Sequence, residues 1–312
     1  MKILVTGIEG YISSLLVSLL TQRGYKIVEL NTGFDSPTVS DRSDKPVNIL
    51  KRDIQSITTQ DLLGVDAIIH MPELTNGSAR KISPHLTCNI HYKDSMYLAS
   101  VAKTAGVRRF VYLSSCSVYG VATDEFSTEE SPVHPQTVYA TYRALVEKEI
   151  GAIADDSFSP TFLRKPIAYG ASPRIRFDVV FNKLAGLAWT TKEIKIPSDS
   201  YSWRPLVHVL DICKAILCTL EAPRDLVHNQ IFNVGDPAHN YQLTEIAAIV
   251  SEVFQVCRVN FEPSDYSYIK HRISFEKINQ LLPGFKCDWN PQRGAQQLLS
   301  FFTLTDMTKN HK

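Results

Sequence analysis

Two groups of residues have types and spacing that suit chemistry. The first is Thr6-Gly7-Ile8-Glu9-Gly10-Tyr11-Ile12-Ser13. Glycine at 7 and 10 lets the main chain come close to a pyrophosphate. A helix that starts there offers N–H groups and a positive dipole end. The second is Tyr139 with Arg143 four residues further on. On a helix such residues share a face, which sets a guanidinium beside a phenol. A phenol ionises near pH ~10, so proton abstraction at neutral pH needs about 4 kcal/mol of anion stabilisation, and a fixed cation supplies much of it. Spacing alone favours a packed helix aromatic beside a solvated charge. Ser114, Ser115 and Ser117 lie in VYLSSCSVYG, residues 111–120; they are groups of a site or strand-end turn formers. Cys116 has no matched His–Asp pair and reads as a buried thiol, not a nucleophile.

These residues need a frame, and the hydrophobic rhythm supplies one. Short apolar runs at Lys2–Thr6, Lys26–Leu30, Asn48–Arg52, Asp66–His70, Arg109–Ser114 and Pro160–Arg164 predict strands. Helical spacing at Gly10–Arg23, Leu86–Ala105 and Thr137–Ile153 predicts helices between them. Alternation of this kind predicts parallel βαβ crossovers: an α/β, Rossmann-like, doubly wound parallel sheet. After Arg164 the rhythm loosens into helices at Phe177–Leu187, Leu210–Leu220, Leu243–Phe254 and Glu276–Leu282, with longer loops. We therefore divide the chain into a dinucleotide-binding part, 1–165, completed by parts of 205–235, and a smaller mixed α/β substrate lobe, 166–312. The polar tail Thr303–Lys312 is expected to be loose. The glycine turn follows the first strand, where a dinucleotide turn belongs. Asn31, ending the second strand, takes the slot of the usual acidic ribose ligand, and it admits NADP beside NAD. Asp53, after the third strand, reads as an adenine contact or a loop cap.

The segments TGIEGYIS, VYLSSCSVYG, PQTVYATYR and WRPLVHVLDI, in this order, resemble the extended short-chain dehydrogenase/reductase family, in particular its NAD-dependent epimerase/dehydratases of nucleotide sugars. The resemblance runs from the N-terminus through FNVGD, 232–236, and the following helix. It implies a hydride-transfer site in which Ser115 bonds the reacting sugar oxygen and Tyr139 is the general acid/base. It implies cofactor contacts from Gly7, Gly10, Tyr11, Ile12, Asn31, Asp53, Ile54, Asn89, Tyr139 and Arg143. Arg204 matches an arginine that grips the substrate diphosphate, and Arg174, Arg176 and Arg272 are further candidates. It also implies a homodimer built on the helices near 86–105 and 137–153. The chain departs from the family pattern at Glu9, Ser13, Asn31, Glu73 and Arg143, the last where the family has lysine. Pro72, beside Glu73, removes a main-chain donor. An alternative therefore stands: a catalytically impaired relative serving as a dinucleotide sensor, partner subunit or scaffold.

Composition narrows the function classes. The chain has 312 residues, 44% hydrophobic and 21% charged, with 33 basic against 32 acidic side chains. That balance gives no electrostatic reason to expect nucleic acid or an anionic membrane as partner. No apolar run approaches a membrane span, and Met1–Thr6 is too short for a signal-peptide core, so a cytoplasmic location is expected. The six cysteines include no CxxC pair, and the nine histidines no HExxH, so no metal site is expected. Tyr266, Tyr268, Lys270, His271 and Arg272 are either a base- and phosphate-holding group or a loop with solvated charges.

Overall fold

The computed structural model describes residues 1–7, 10–31, 48–72, 88–120, 125–197, 202–255, 258–262 and 272–305. Its centre is a sheet of strands β1 (Lys2–Val5), β2 (Lys26–Asn31), β3 (Asn48–Lys51), β4 (Ala67–His70), β5 (Arg109–Ser115), β7 (Ser159–Lys165) and β11 (Gln230–Asn233). They lie in the order β11-β7-β5-β4-β1-β2-β3, and every neighbouring pair is parallel. The order reverses between β1 and β4, and in such sheets ligands bind in the crevice outside the carboxyl ends at that point. Ile3, Leu4 and Val5 are all fully buried, as are Ile68 and Ile69, because helices cover both faces. That is why these strands read as continuous apolar runs and not as alternation.

One face is covered by α1 (Ser13–Gln22) and α5 (Val209–Glu221), through Leu16, Val17 and Leu20 from the first and Ile212 and Ile216 from the second. The other is covered by α2 (Asp94–Thr104) and α3 (Val138–Ala152), through Leu98, Ala102, Val146 and Ile150. A π-helical stretch, Asn89–Lys93, leads into α2. No helix among the described residues is long and apolar enough to cross a membrane.

Outside the main sheet the chain forms smaller paired units. β10 (Trp203–His208) pairs in parallel with β8 (Ile167–Tyr169) and antiparallel with β12 (Asn240–Gln242). β9 (Glu193–Pro197) pairs with β13 (Arg258–Glu262), and β6 (Phe126–Ser127) with β14 (Arg272–Ile273). Helices α4 (Val180–Thr191), α7 (Leu243–Phe254) and α9 (Pro291–Thr305) enclose a third core around Phe181, Leu184, Ile246, Leu298 and Phe302. Two short helices, α6 (Arg224–Val227) and α8 (Glu276–Leu281), complete the described elements.

Three expectations change. The helix expected over Phe177–Leu187 runs Val180–Thr191. Asn182 causes the shift: its amide donates to the Arg176 carbonyl and its oxygen accepts from Gly170 N–H, so the preceding segment is held as a loop. Of the tail expected to be loose, Thr303–Thr305 belong to α9, whose Ala295, Leu298 and Phe302 are buried; 306–312 lie outside the described residues. The part of the Leu86–Ala105 helix that is described is not uniformly α-helical, since its first turns are π-helical.

Candidate active site

The turn after β1 shows why glycine stands at 7. Its φ is +69°, and a Cβ there would lie 2.2 Å from the Met71 carbonyl oxygen. A side chain is excluded twice, by backbone conformation and by the close approach of the β4 exit. Ser13, which departs from the small third position, fits by closing the turn. Its buried hydroxyl donates to the Gly7 carbonyl at 2.6 Å and accepts from Gly10 N–H at 3.0 Å. α1 then starts with no side-chain cap at Ile12 and no acidic residue in its first turn, an arrangement suited to an anion. Ile12 and Ile54 are core residues. The Tyr11 hydroxyl donates to the Gly170 carbonyl at 2.6 Å and accepts from the Asn182 amide at 3.2 Å. The Tyr11 side chain therefore serves the junction with the smaller units.

Asp53 caps the short turn Ile54–Ser56 by accepting from Gln55 N–H at 2.9 Å. Asn31 ends β2, but its side chain, like Glu9, Glu73, Tyr266, Tyr268, Lys270 and His271, lies outside the described residues. Asn89 opens the π-helical stretch, and its Oδ1 is buried with no hydrogen-bond partner among the described residues. A buried orphan acceptor fits a group that donates to it. The glycine cradle, the uncapped helix end and this orphan together suit a dinucleotide.

Arg143 settles one sequence alternative: it is not a solvated charge. It is 1% exposed, one of the largest fully buried side chains. Its guanidinium donates to the Leu113 carbonyl and, at 2.6 Å, to the Pro72 carbonyl. It lies 4.9 Å from the Tyr139 ring centroid and 5.5 Å from that of Tyr112. Pro72, marked in the sequence as a lost donor, supplies an acceptor instead. Burial pushes the Tyr112 phenol up to about 12, although Arg143 acts the other way. His91 meets Tyr139 edge-on, with ring centroids 5.0 Å apart. Burial first and the Arg143 charge second lower His91 to about 3.

His70 lies behind this group. It bridges the Thr6 hydroxyl at 2.8 Å and the Ser95 hydroxyl at 2.9 Å. Complete burial, with a smaller contribution from Arg143, lowers it to about 3, so it is neutral at physiological pH. Sequence reasoning missed His70 and His91. Nothing in their spacing marks them, because their role arises from contacts between β1, β4, α2 and α3.

The three serines separate cleanly. Ser114 donates to Glu147, whose carboxylate pairs with Arg164 at 2.7 Å in a site 4% exposed on either side. Ser115 is half-buried at the end of β5 and accepts from Ser117 N–H at 3.2 Å, capping the turn Cys116–Tyr119. α3, which carries Tyr139, packs against that turn. Cys116 is buried, and burial raises its thiol pKa.

The four arginines fall into two groups. Arg272 stacks on Phe126 and Trp203, with centroid distances of 4.2 and 4.9 Å, and pairs with Glu125. Arg204 adjoins it on β10 and donates to the Trp203 carbonyl at 3.1 Å. Arg176 is bound to Asp178 through two bonds of 2.9 and 2.5 Å, with exposed Arg174 nearby in the chain.

The family model described as NAD dependent epimerase/dehydratase matches residues 3–235. The chain is 22% identical over 269 residues to the UDP-glucose 4-epimerase of Streptomyces lividans, covering 81% of this chain and 80% of that protein. The structure of the UDP-glucose 4-epimerase of Thermotoga maritima with UDP-glucose superposes with a TM-score of 0.84 at 20% identity, covering 98% of this chain and 99% of that one. The UDP-glucuronic acid 4-epimerase of Bacillus cereus in complex with NAD superposes with a TM-score of 0.83 at 19% identity, covering 100% and 99%.

Proposed function

Since the chain belongs to the NAD dependent epimerase/dehydratase family, we propose that it binds NAD and transforms a nucleotide-linked sugar by oxidation at a ring hydroxyl. The observation that carries this reading is the placement of Tyr139 against Arg143 beside the β1/β4 crevice that holds the glycine cradle. NAD accepts and returns a hydride when bound. The protein's part is to hold the sugar and move its proton. Ser115, with its oxygen already accepting from Ser117, keeps its hydroxyl hydrogen for the reacting oxygen. Tyr139 takes the hydroxyl proton. Arg143 sets its positive charge over the Tyr139 ring, 4.9 Å from the centroid, and two main-chain carbonyls hold its guanidinium in place there.

Gly7, Gly10, Tyr11 and Ile12 are assigned to the pyrophosphate through main chain, Asp53 and Ile54 to the adenine side, Asn31 to the ribose and Asn89 to the nicotinamide side. Arg204 and Arg272 are assigned to the substrate diphosphate, with Arg174 and Arg176 at the outer rim. The units after residue 165 form the substrate lobe, and residues 1–165 with parts of 205–235 the dinucleotide domain. A cytoplasmic homodimer through α2 and α3 belongs to the same reading; Tyr97 and Val138 lie exposed there.

One observation favours the alternative of an impaired sensor or scaffold: at the position where the family pattern has lysine, the Arg143 fork is engaged by two main-chain carbonyls. The test is calorimetric titration with NAD and NADP, followed by turnover of UDP- and dTDP-linked hexoses by the native chain and by Tyr139→Phe. Saturable NAD binding with turnover lost in Tyr139→Phe supports the enzyme. Binding without Tyr139-dependent turnover supports the sensor. Silence at millimolar NAD overturns both.

A further inference from the structure

Ser115 ends β5 and Lys165 ends β7, and the parallel register pairs these two residues directly. Side chains alternate along strands, so both project to the face already taken by Leu113 and Leu163 two residues earlier. Neighbouring strands lie about 4.8 Å apart, and a lysine stem spans more than that, so a side chain at 165 is long enough to bring an ammonium beside the Ser115 hydroxyl. Both residues are half-buried, at the edge where the main sheet meets the smaller units.

Among the described residues no salt bridge at this edge includes the Lys165 ammonium. Asp178 senses the Lys165 ammonium, but its carboxylate is already gripped by Arg176 through two bonds of 2.9 and 2.5 Å, which is the main cause of its lowered pKa. The Cys116 thiol beside it is held neutral by burial. The Glu147 carboxylate belongs to Arg164 on the opposite face. A neutral hexose gives an ammonium here nothing to pair with. A sugar carrying a carboxylate on the ring carbon next to the reacting hydroxyl brings an anion to it whenever Ser115 holds that hydroxyl.

We propose that Lys165 is a specificity-determining residue that selects nucleotide-linked uronic acids over neutral hexoses. This rests on the function proposed above and names its substrate class. The experiment uses the full chain loaded with NAD and titrates it with UDP-glucuronate, UDP-glucose and UDP, in the native protein and in Lys165→Met, Lys165→Gln and Lys165→Arg. Thermal unfolding identifies any variant that fails to fold. The expected result is at least tenfold tighter binding of UDP-glucuronate than of UDP-glucose by the native chain. That ratio falls tenfold or more in Lys165→Met and Lys165→Gln, as loss of one charged hydrogen bond implies, and is partly kept in Lys165→Arg. A native ratio near one, or a ratio that the neutral variants leave unchanged, overturns the proposal while leaving the nucleotide-sugar reading standing. Binding of none of the three nucleotides overturns both.

Discussion

Replacing Arg143 separates a core strut from a solvated charge. In Arg143→Met the methionine fills part of the volume but donates nothing, so the Leu113 and Pro72 carbonyls lose their charged donor. Hydrogen bonds to charged groups contribute about 1.5–3 kcal/mol each, and partial repacking by methionine offsets some of the loss. The net expectation is a destabilisation of about 3–5 kcal/mol. With about 2–4 °C per kcal/mol for domains of 150–250 residues, and less for a longer chain, Tm falls by roughly 6–12 °C. Arg143→Lys keeps the charge, but a single ammonium does not reproduce a fork that bonds carbonyls from two separate strand exits. It is expected to lose about half as much. Differential scanning fluorimetry and urea unfolding at pH 7 read both variants. A solvated arginine would show changes within about 0.5 kcal/mol. A Tm for Arg143→Met within about 2 °C of the native value, the shift that about 0.5 kcal/mol produces, would refute the reasoning, as would a lysine variant no less stable than the native chain.

Three further outcomes follow from the same contacts. His70 and His91 are each lowered to about 3, below the unfolded value of 6.5. Their stabilising contribution is therefore complete above pH 6.5 and is lost as pH falls toward 3; by pH ~5 the pair removes about 4 kcal/mol, and His91→Gln should halve that pH dependence in urea unfolding, whereas an unchanged slope would count against it. Glu147→Gln leaves the Arg164 charge buried without its partner and should cost about 3–5 kcal/mol in equilibrium unfolding, while a loss under 1 kcal/mol, the range of a surface pair, would contradict the buried geometry. Gly7→Ala meets the Met71 carbonyl at 2.2 Å at a φ of +69° and should weaken NAD binding at least tenfold by calorimetry; native-like affinity would show that the turn has another conformation.

The sequence by itself determined the doubly wound sheet. Parallel strands buried on both faces must be short apolar runs, and each crossover helix must carry an apolar stripe, so β1 to β5 and β7 were legible in their chain order, while the two-residue β6 was not. The glycine turn was legible too, because only glycine accepts the φ and the approach at position 7. α9 was not, since its buried face has only Leu298 and Phe302 as large apolar side chains beside Pro291, Gly294 and Ala295, in a stretch rich in glutamine and threonine. Tertiary structure decided what no spacing records. Ser13 is tolerated because its hydroxyl bonds both glycines of the turn. Ser114 turns to Glu147 while Ser115 caps the turn that follows β5, because alternate residues of β5 face opposite sides of the sheet. The i and i+4 spacing sets Arg143 beside Tyr139, but its burial depends on carbonyls delivered by β4 and β5, 71 and 30 residues away in the chain. Periodicity is a local property of the chain, whereas hydrogen-bond partners and charge neighbours at this site come from strands that meet only when the sheet is assembled.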